Sequence, residues 1–427
     1  MSGNRLTTMI FIGMVLGIGV GYACSITWPD PQTAKEISGY ISLISDVFLR
    51  LIKMIIAPLV FSTLVVGIAH MGDTASVGRV GGKALIWFVG ASFCSLALGL
   101  LLVNIMQPGH NLNLPLPDTG AGTGLKTASL SLKDFVTHLV PKSAVEAMAN
   151  NEILQIVVFS IFFGVALAAL GEKGRFLAQG VEALADVMLK VTGYVMMFAP
   201  VAVFAAIAAT ITTQGIGVLV TYGKFLVEFY LSLSVLWCLL LLAGFLLVGL
   251  GGISRLLGLI REPFILAFST ASSEAAYPKT LNNLEQFGVP NRITSFVLPM
   301  GYSFNLDGSM MYCTFAVMFI AQAYGIPLTW SQQITMLGLL MVTSKGMAGV
   351  PRASLVVISA TLSQFNIPEA GLLLIIGIDQ FLDMGRSATN VLGNSVATVA
   401  VAKWEGQLAG TDQRLDRDVS PLPSPAE

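Results

Sequence analysis

Residues 371–402 read GLLLIIGIDQFLDMGRSATNVLGNSVATVAVA, an apolar stretch long enough to cross a membrane that also contains charged and amide side chains. At about 100° per residue, these polar positions fall within roughly 80° of one another on a single helical face. The stripe consists of Asp379, Asp383, Arg386, Asn390 and Asn394. Ionisable groups at membrane depth cost at least about 2.5 kcal/mol each, so the stripe faces protein or a cavity and marks a functional site. The alternative is a structural Asp/Arg pair between two helices.

The composition is that of a polytopic membrane protein. Of 427 residues, 55% are hydrophobic and 11% are charged, whereas soluble domains have about 25% charged residues. The net charge of -1 provides no basic surface for nucleic acid. The four cysteines and three histidines lie singly, without metal or redox spacing, so we expect no metal and no cofactor. No nucleophile, base or metal constellation of an enzyme is apparent, so we expect no enzymatic activity.

Apolar runs predict membrane-spanning helices in the first 250 residues. The predicted spans are 6–28, 41–69, 80–107, 153–171, 186–212 and 217–250. The first is longer than a signal-peptide core and lacks a cleavage site before a polar mature domain, so it is predicted to be retained. Basic residues in alternate short loops place both termini in the cytoplasm, although the lysines within 108–150 do not fit this pattern.

Two units of the same design follow residue 250. The first has an apolar run interrupted at 269–274 (STASSE) and leads to NLDGS at 305–309. The second is interrupted at 343–351 (TSKGMAGVP) and leads to the polar stripe. Non-helical backbone at membrane depth must be buried in protein or line a cavity, so the pattern predicts two re-entrant hairpins meeting at a central site. The alternative is two kinked helices with small-residue packing.

Three motifs resemble those of the dicarboxylate/amino acid:cation symporter family, which includes bacterial glutamate and C4-dicarboxylate carriers. They are SFNLDGS at 303–309, SKGMAGVP at 344–351 and LDMGRSATNVLGN at 382–394. The resemblance covers residues 5–408, and at these motifs the chain is most similar to bacterial proton/glutamate symporters. It implies an all-α polytopic membrane protein with eight transmembrane helices and two re-entrant helical hairpins in inverted repeats. It also implies a homotrimeric elevator-type transporter in the lipid bilayer of the bacterial inner membrane.

The resemblance also implies a division into a fixed scaffold and a moving transport domain. Scaffold helices one and two are expected in 1–79, and helix three of the transport domain is expected in 80–107. A loop with scaffold helices four and five is expected in 108–215, and helix six of the transport domain in 216–252. The transport core, with hairpin one, helix seven, hairpin two and helix eight, occupies 253–408, and 409–427 form a disordered cytoplasmic tail. The second hairpin is expected to be the outer gate.

The family's substrate contacts map onto residues of this chain. Arg386 corresponds to the residue that binds the substrate's side-chain carboxylate, and a guanidinium fork suits that task. Asp383 corresponds to the acid that binds the substrate ammonium. The other predicted substrate-binding residues are Ser272, Ser273, Ser309, Val350, Pro351, Ser354, Ser387 and Asn390. These groups favour L-glutamate and L-aspartate, and a C4-dicarboxylate substrate such as succinate, fumarate or malate is the alternative.

The coupling ion is predicted from departures from the sodium-coupled relatives. Asn394 replaces an Asp that binds sodium, and Phe88 and Ala91 replace a Tyr and a Thr that help to hold another sodium. Hard cations require oxygen ligands, so these changes favour proton coupling, with sodium as the alternative. The residues predicted to take part in cation or proton coupling are Glu274, Gly301, Asn305, Asp307, Asn390 and Asn394. Arg352, where many relatives have Gly, adds a cation near the gate tip.

Overall fold

The computed structural model describes residues 3–69, 74–110, 116, 140–215, 222–344, 353–376 and 378–408. Within these ranges the regular structure is helical and contains no strand, which confirms the predicted all-α class. Val350, Pro351, Arg352, most of the segment 108–150 and the tail 409–427 lie outside the described residues.

The described ranges contain the following α-helices. They are α1 (Gly3–Thr27), α2 (Pro31–Ala69), α3 (Thr74–Met106), α4 (Ala144–Ala149), α5 (Ile153–Ala169), α6 (Arg175–Met196), α7 (Ala199–Gln214), α8 (Gly223–Thr270), α9 (Ser273–Phe287), α10 (Asn291–Phe304), α11 (Asp307–Ala323), α12 (Trp330–Thr343), α13 (Ala353–Gln364), α14 (Leu373–Ile376) and α15 (Asp379–Trp404). Short 3₁₀ segments occupy Gly171–Gly174 and Glu369–Leu372.

By length and composition, five segments in the described ranges can cross a membrane: α1, α2, α3, α8 and the α10–α11 pair. The helices from Gly171 to Thr213 form a sixth if the pair, bent by 52°, is counted as one span. α15 is long enough at 26 residues, but its polar stripe lowers its mean hydropathy. The count of eight transmembrane helices stays a prediction.

Several predicted boundaries differ from the observed helices. The predicted span 186–212 is divided between α6 and α7, since Pro200 opens a new helix and cannot donate to the preceding one. The helix that corresponds to the predicted span 217–250 begins later, at Gly223, and is broken at Gly249, where φ is 70° and ψ is 179°, so its predicted end coincides with this break. α2 and α3 begin at Pro31 and Thr74, well before the predicted 41 and 80, because hydropathy detects the apolar part of a helix and not its polar first turns.

The helices pack as two groups. In the first helix group, α1 packs on α7, and α2 packs on α5, α6 and α7. In the second helix group, α3 packs on α11, α8 packs on α9 and α15, and α10 and α11 pack on α15. The two groups meet mainly where α2 and α5 contact α10, where α1 and α7 contact α8, and where α2 contacts α9.

A glycine stripe brings α1 against the backbone of α7. A Cβ atom at Gly13 would lie 2.5 Å from the Pro200 carbonyl oxygen, and one at Gly17 would lie 2.7 Å from that of Phe204. Gly21 makes the same approach to Ala208. Without a hydrophobic driving force in lipid, close packing of small residues is what associates such helices. Sequence inspection overlooked this four-residue glycine repeat.

The first predicted hairpin is a tightly linked helical pair. α8 ends at Thr270, Ala271 adopts the left-handed conformation with φ 49°, and α9 follows, which confirms the predicted break. Lys279 pairs with Glu262 across the two arms at 3.3 Å. Further from the tip, Asn283 Nδ2 donates to the Leu259 carbonyl at 2.6 Å. The arms are therefore held to each other by polar contacts as well as by apolar packing.

The second predicted hairpin is linked differently. In the described parts of α12 and α13, no side-chain hydrogen bond or ion pair joins the two arms. Instead, Gln333 of α12 accepts from Asn104 of α3 at 2.9 Å. Glu369 accepts from Ser359 of α13 at 3.0 Å and also from Ser363. The arms pack against each other, but the side-chain hydrogen bonds of each described arm go to its surroundings and not to the other arm.

An ionic contact ties α3 to the end of α15. Glu405, which follows α15, pairs with Arg79 at 3.0 Å and with Lys83 at 2.7 Å, and Lys83 also donates to the Trp404 carbonyl at 2.7 Å. Burial raises the pKa of Glu405, but the hydrogen bonds from Lys83 and Arg79 outweigh burial and hold it below its usual value.

Candidate functional site

The candidate site forms where α11 crosses α15 at close range. A Cβ atom at Gly308 would lie 2.5 Å from the Arg386 carbonyl oxygen, and one at Gly393 would collide with Asp307 Oδ2. Glycine at 308 therefore lets the two backbones touch, and glycine at 393 leaves room for the Asp307 carboxylate. The predicted seventh helix is interrupted here: α10 ends at Phe304 and α11 begins at Asp307, whose carboxylate lies in the first turn, where the helix dipole favours a negative charge.

Arg386 is the charged centre of the site. Its side chain is 1% exposed, and its Nη2 lies 3.1 Å from both Asp379 Oδ1 and Asp383 Oδ1. The guanidinium carbon lies 4.1 Å from the centre of the Tyr312 ring, and the Tyr312 hydroxyl donates to Asp379 Oδ1 at 3.3 Å. Asp379 and Tyr312 thus hold the planar group from its edge and its face. Arg386 Nε and Nη1 are buried and have no hydrogen-bond partner within the described ranges.

Asp383 is the open member of this cluster. Its side chain is 32% exposed, compared with 4% for Asp379. Ser387 is buried and donates to Asp383 Oδ1 at 3.5 Å, which is a weak contact. The arrangement presents two unused guanidinium nitrogens and one accessible carboxylate. Chemically, it can accept a ligand that carries both a carboxylate and a cationic group.

Asn390, one helical turn after Arg386, links α15 to α11. Its Oδ1 accepts the Gly308 backbone N–H at 2.9 Å, and its Nδ2 lies 3.4 Å from Ser309 Oγ. Asn390 and Ser309 are 4% and 8% exposed. The predicted substrate residues Ser309, Ser387 and Asn390 therefore lie with Arg386 and Asp383.

Four of the predicted coupling residues form a second, closed cluster. Asp307 Oδ1 accepts from Ser95 Oγ, and Asp307 Oδ2 accepts from Asn305 Nδ2, both at 3.1 Å. The same Asn305 nitrogen lies 3.2 Å from Asn394 Oδ1, and Gly301 packs directly against that oxygen. All these polar side chains are at most 1% exposed. Asn305 Oδ1 and Asn394 Nδ2 lack partners among the described residues.

The hairpin residues make fewer polar contacts. Ser272 is the N-cap of α9, and its hydroxyl accepts the Ala275 N–H at 3.3 Å, so it has a structural role whatever else it binds. Ser273 is partly buried and Ser354 is 8% exposed, and neither side chain has a hydrogen bond within the described structure. Glu274 lies apart from both clusters, beside Tyr277 and Tyr302.

Sequence inspection missed three contributors to the site. Asp379 was recognised in the stripe but was not assigned to the site. Tyr312 lies one helical turn after Gly308, so the i, i+4 spacing could have placed it on the same face of α11. Ser95 lies on α3, more than 200 residues before Asp307 in the chain, and no local pattern links the two.

Comparison with known proteins identifies the family. The model of the sodium:dicarboxylate symporter family matches residues 6–404. This chain belongs to that family. It is 43% identical to a proton/sodium-glutamate symport protein of Geobacillus stearothermophilus over 415 residues, which are 94% of this chain and 95% of that protein. It is 41% identical to a C4-dicarboxylate transport protein of Citrifermentans bemidjiense over 425 residues, which are 96% of this chain and 93% of that protein. The predicted relationship is confirmed, and the chain is a multi-pass membrane transporter.

Proposed function

We propose that this protein is a secondary active symporter that imports L-glutamate or L-aspartate together with protons. The observation that carries the proposal is the buried Arg386 with two unpartnered nitrogens beside the accessible Asp383. The substrate's side-chain carboxylate would bind the guanidinium fork, and its ammonium would bind Asp383. Ser309, Ser387 and Asn390 would complete the polar wall, and the tips of the hairpins would bind the α-carboxylate.

Charge balance supports coupling to a cation. The cluster contains one cation, Arg386, and two acids, Asp379 and Asp383, so its formal charge is negative when both acids are ionised. An acidic amino acid is also an anion at neutral pH. Moving two negative charges together through a low-dielectric protein is costly, and a co-transported cation removes part of that cost.

The second cluster supports a proton rather than sodium as that cation. Asp307 already has donors from Ser95 and Asn305, and Asn394 supplies an amide in place of a second carboxylate. A sodium ion at this position would have to displace donors and would find few free oxygens. Sodium coupling is the alternative, because the name of the relative, proton/sodium-glutamate symport protein, includes both ions.

A C4-dicarboxylate carrier is the second candidate. It is favoured by relatives named C4-dicarboxylate transport proteins and by the contact of Asp383 with Arg386, which provides the acid with a partner when no ammonium is present. A substrate carboxylate that binds Arg386 would compete for this cation. Asp383 would then be left without a counter-charge, which disfavours succinate relative to aspartate.

We further propose the homotrimer, the elevator movement and the cytoplasmic location of both termini in a bacterial inner membrane. Asp46 and Arg50 support the homotrimer, because they lie exposed one turn apart on the long helix α2 and such groups need protein or water rather than lipid. The first helix group would be the scaffold, and the second helix group would be the moving domain.

Uptake of labelled amino acid into proteoliposomes tests the proposed function. In sodium-free medium, an inwardly directed proton gradient is expected to drive concentrative uptake of L-aspartate or L-glutamate, and an imposed sodium gradient at equal pH is expected to add little. An absolute requirement for sodium would refute proton coupling. Uptake of succinate but of neither amino acid would refute the proposed substrate.

A further inference from the structure

The acids of the second helix group differ in whether they have partners. Asp379 and Asp383 contact Arg386. Asp307 accepts from Ser95 and Asn305. Glu262 pairs with Lys279.

Glu274, in the first turn of α9, has neither a hydrogen-bond donor nor an ion-pair partner for its side chain among the described residues. It is partly buried at the boundary between the two helix groups. A carboxylate without donors in such a place is poorly stabilised, so the neutral acid is the form that suits it.

The surroundings of Glu274 form a narrow crevice. Its other lining residues are Ile56 and Val60 of α2, Ile153 of α5, Tyr277 of α9, and Pro299 and Tyr302 of α10. Most of this lining is apolar, and the two helix groups contribute opposite walls. The position is therefore one whose exposure to water would change if the groups moved relative to each other.

Two tyrosines give the crevice its polar atoms. Tyr277 and Tyr302 are 2% and 4% exposed, and neither hydroxyl completes a hydrogen bond in the described structure. The threonines beside them, Thr63 and Thr280, donate their own protons to helix carbonyls. A phenolic hydroxyl can donate a hydrogen bond to a carboxylate and can accept one from a protonated carboxyl group, so it can partner both forms of a nearby acid.

Among the described residues, the charged group that acts electrostatically on Glu274 is the exposed Lys53 of α2, which forms no ion pair with it. From α10 the facing titratable group is Tyr302, and from its own helix it is Tyr277. α5 contributes the apolar Ile153. Within the described part of the chain, the surroundings of Glu274 therefore comprise one cation that forms no ion pair with it, two phenols and an apolar wall.

We propose that Glu274 is the carboxyl group that takes up and releases the coupling proton. This inference rests on the proposed proton-coupled symport. When the crevice opens to the acidic side, a carboxylate oxygen of Glu274 accepts a proton from a hydronium ion, which becomes a water molecule. The neutral acid can then be enclosed in the apolar crevice, and it returns the proton to water on the other side. The proton site is thereby separate from the substrate site at Arg386.

Glu228 of α8 is the rival, because its Oε2 is also buried without a partner. It lies in the second turn of α8, one turn from Lys224, and it does not line the crevice. Glu228 therefore provides a matched control: it is a second partly buried glutamate of the same helix group, and it is not part of the crevice lining.

Purified wild type, Glu274→Gln, Glu274→Asp and Glu228→Gln are compared in sodium-free proteoliposomes containing a trapped pH indicator. For each variant, aspartate-for-aspartate exchange at equal pH, accumulation driven by a proton gradient, and proton influx per aspartate are measured. Glu274→Gln should reduce accumulation at least about tenfold and abolish substrate-dependent proton influx, while exchange falls by less than about threefold. Glu274→Asp should keep proton influx with a shifted pH midpoint, and Glu228→Gln should behave as wild type.

Wild-type proton influx and accumulation in Glu274→Gln would overturn the inference and leave the proposed function intact. Loss of exchange in both Glu274 variants would also overturn it, since the side chain would then be required for folding or substrate movement whether or not it titrates. Loss of proton influx in Glu228→Gln alone would assign the role to the rival. Absence of proton-driven uptake in wild type would instead refute the proposed function itself.

Discussion

The two polar clusters that α15 contributes to differ in how many of their hydrogen-bonding groups already have partners in the protein. In the open cluster, which consists of Asp379, Asp383, Arg386 and Tyr312, Arg386 has two nitrogens without partners and Asp383 is 32% exposed. In the closed cluster, which contains Asn305, Asp307 and Asn394, Asp307 has a protein donor on each oxygen and is fully buried. The open cluster has unused N–H donors, which suit an anionic ligand, whereas in the closed cluster the Asp307 carboxylate already has donors and the atoms without partners are Asn305 Oδ1 and Asn394 Nδ2. One helix thus contributes to a cluster with unused donors and to a cluster whose carboxylate is already satisfied by protein donors.

Removing the cation of the open cluster should have the largest effect. Arg386→Ala leaves Asp379 and Asp383 without their partner and removes the carboxylate-binding fork, at a cost of about 2 to 5 kcal/mol, or at least about thirtyfold in affinity. Uptake of both aspartate and succinate should be lost, as measured with labelled substrates. Thermal unfolding in detergent shows whether the variant still folds. If folded Arg386→Ala binds aspartate within about threefold of wild type, the open cluster is not the substrate site.

Changing the exposed acid tests selectivity within the open cluster. Asp383→Ser removes the proposed ammonium partner, so aspartate uptake should fall by at least about tenfold while discrimination against succinate narrows or reverses. Competition curves for both substrates measure this ratio. Ser387→Ala is the matched control on the next turn and should change both substrates alike. Unchanged aspartate competition in Asp383→Ser would contradict the ammonium assignment.

Adding a carboxylate to the closed cluster should change the coupling ion. Asn394→Asp replaces an unpartnered amide nitrogen with oxygen and places a second acid in the cluster that contains Asp307. Two neighbouring carboxylates favour a cation between them, and sodium binds oxygen ligands. Sodium should then stimulate uptake about tenfold relative to choline, whereas wild type should respond little. Equal uptake in the two salts would mean that Asn394 does not determine ion choice.

The contact between α11 and α15 at the closed cluster should tolerate little added volume. Gly393→Ala improves helix propensity by about 1 kcal/mol, yet its methyl group collides with Asp307 Oδ2. Such overpacking costs about 1 to 3 kcal/mol, so the net change is a loss of stability together with slower transport. Gly90→Ala on α3 is the control, because no atom lies within 4 Å of its added methyl. Wild-type stability and transport in Gly393→Ala would show that α11 and α15 separate easily.

Periodicity predicted the stripe, and the structure brings its charged members together, since residues four or seven positions apart share a helical face. The break before α9 was also predictable, because small polar residues interrupted an apolar run. The predicted end of the span at 250 coincides with the non-helical Gly249, which divides α8 into two parts. Contacts between distant segments, such as that between Ser95 and Asp307, arise from packing that no local pattern encodes.

The glycine stripe of α1 also has a consequence for the order of biosynthesis. Gly13, Gly17 and Gly21 fit against carbonyl groups of α7, and those carbonyls exist only after the ribosome has made the chain through Ala208. The first helix is therefore synthesised before the surface that covers its glycine face exists. Its final association is a lateral step within the membrane that follows the insertion of α7, so synthesis of the first helix and its docking are separated in time.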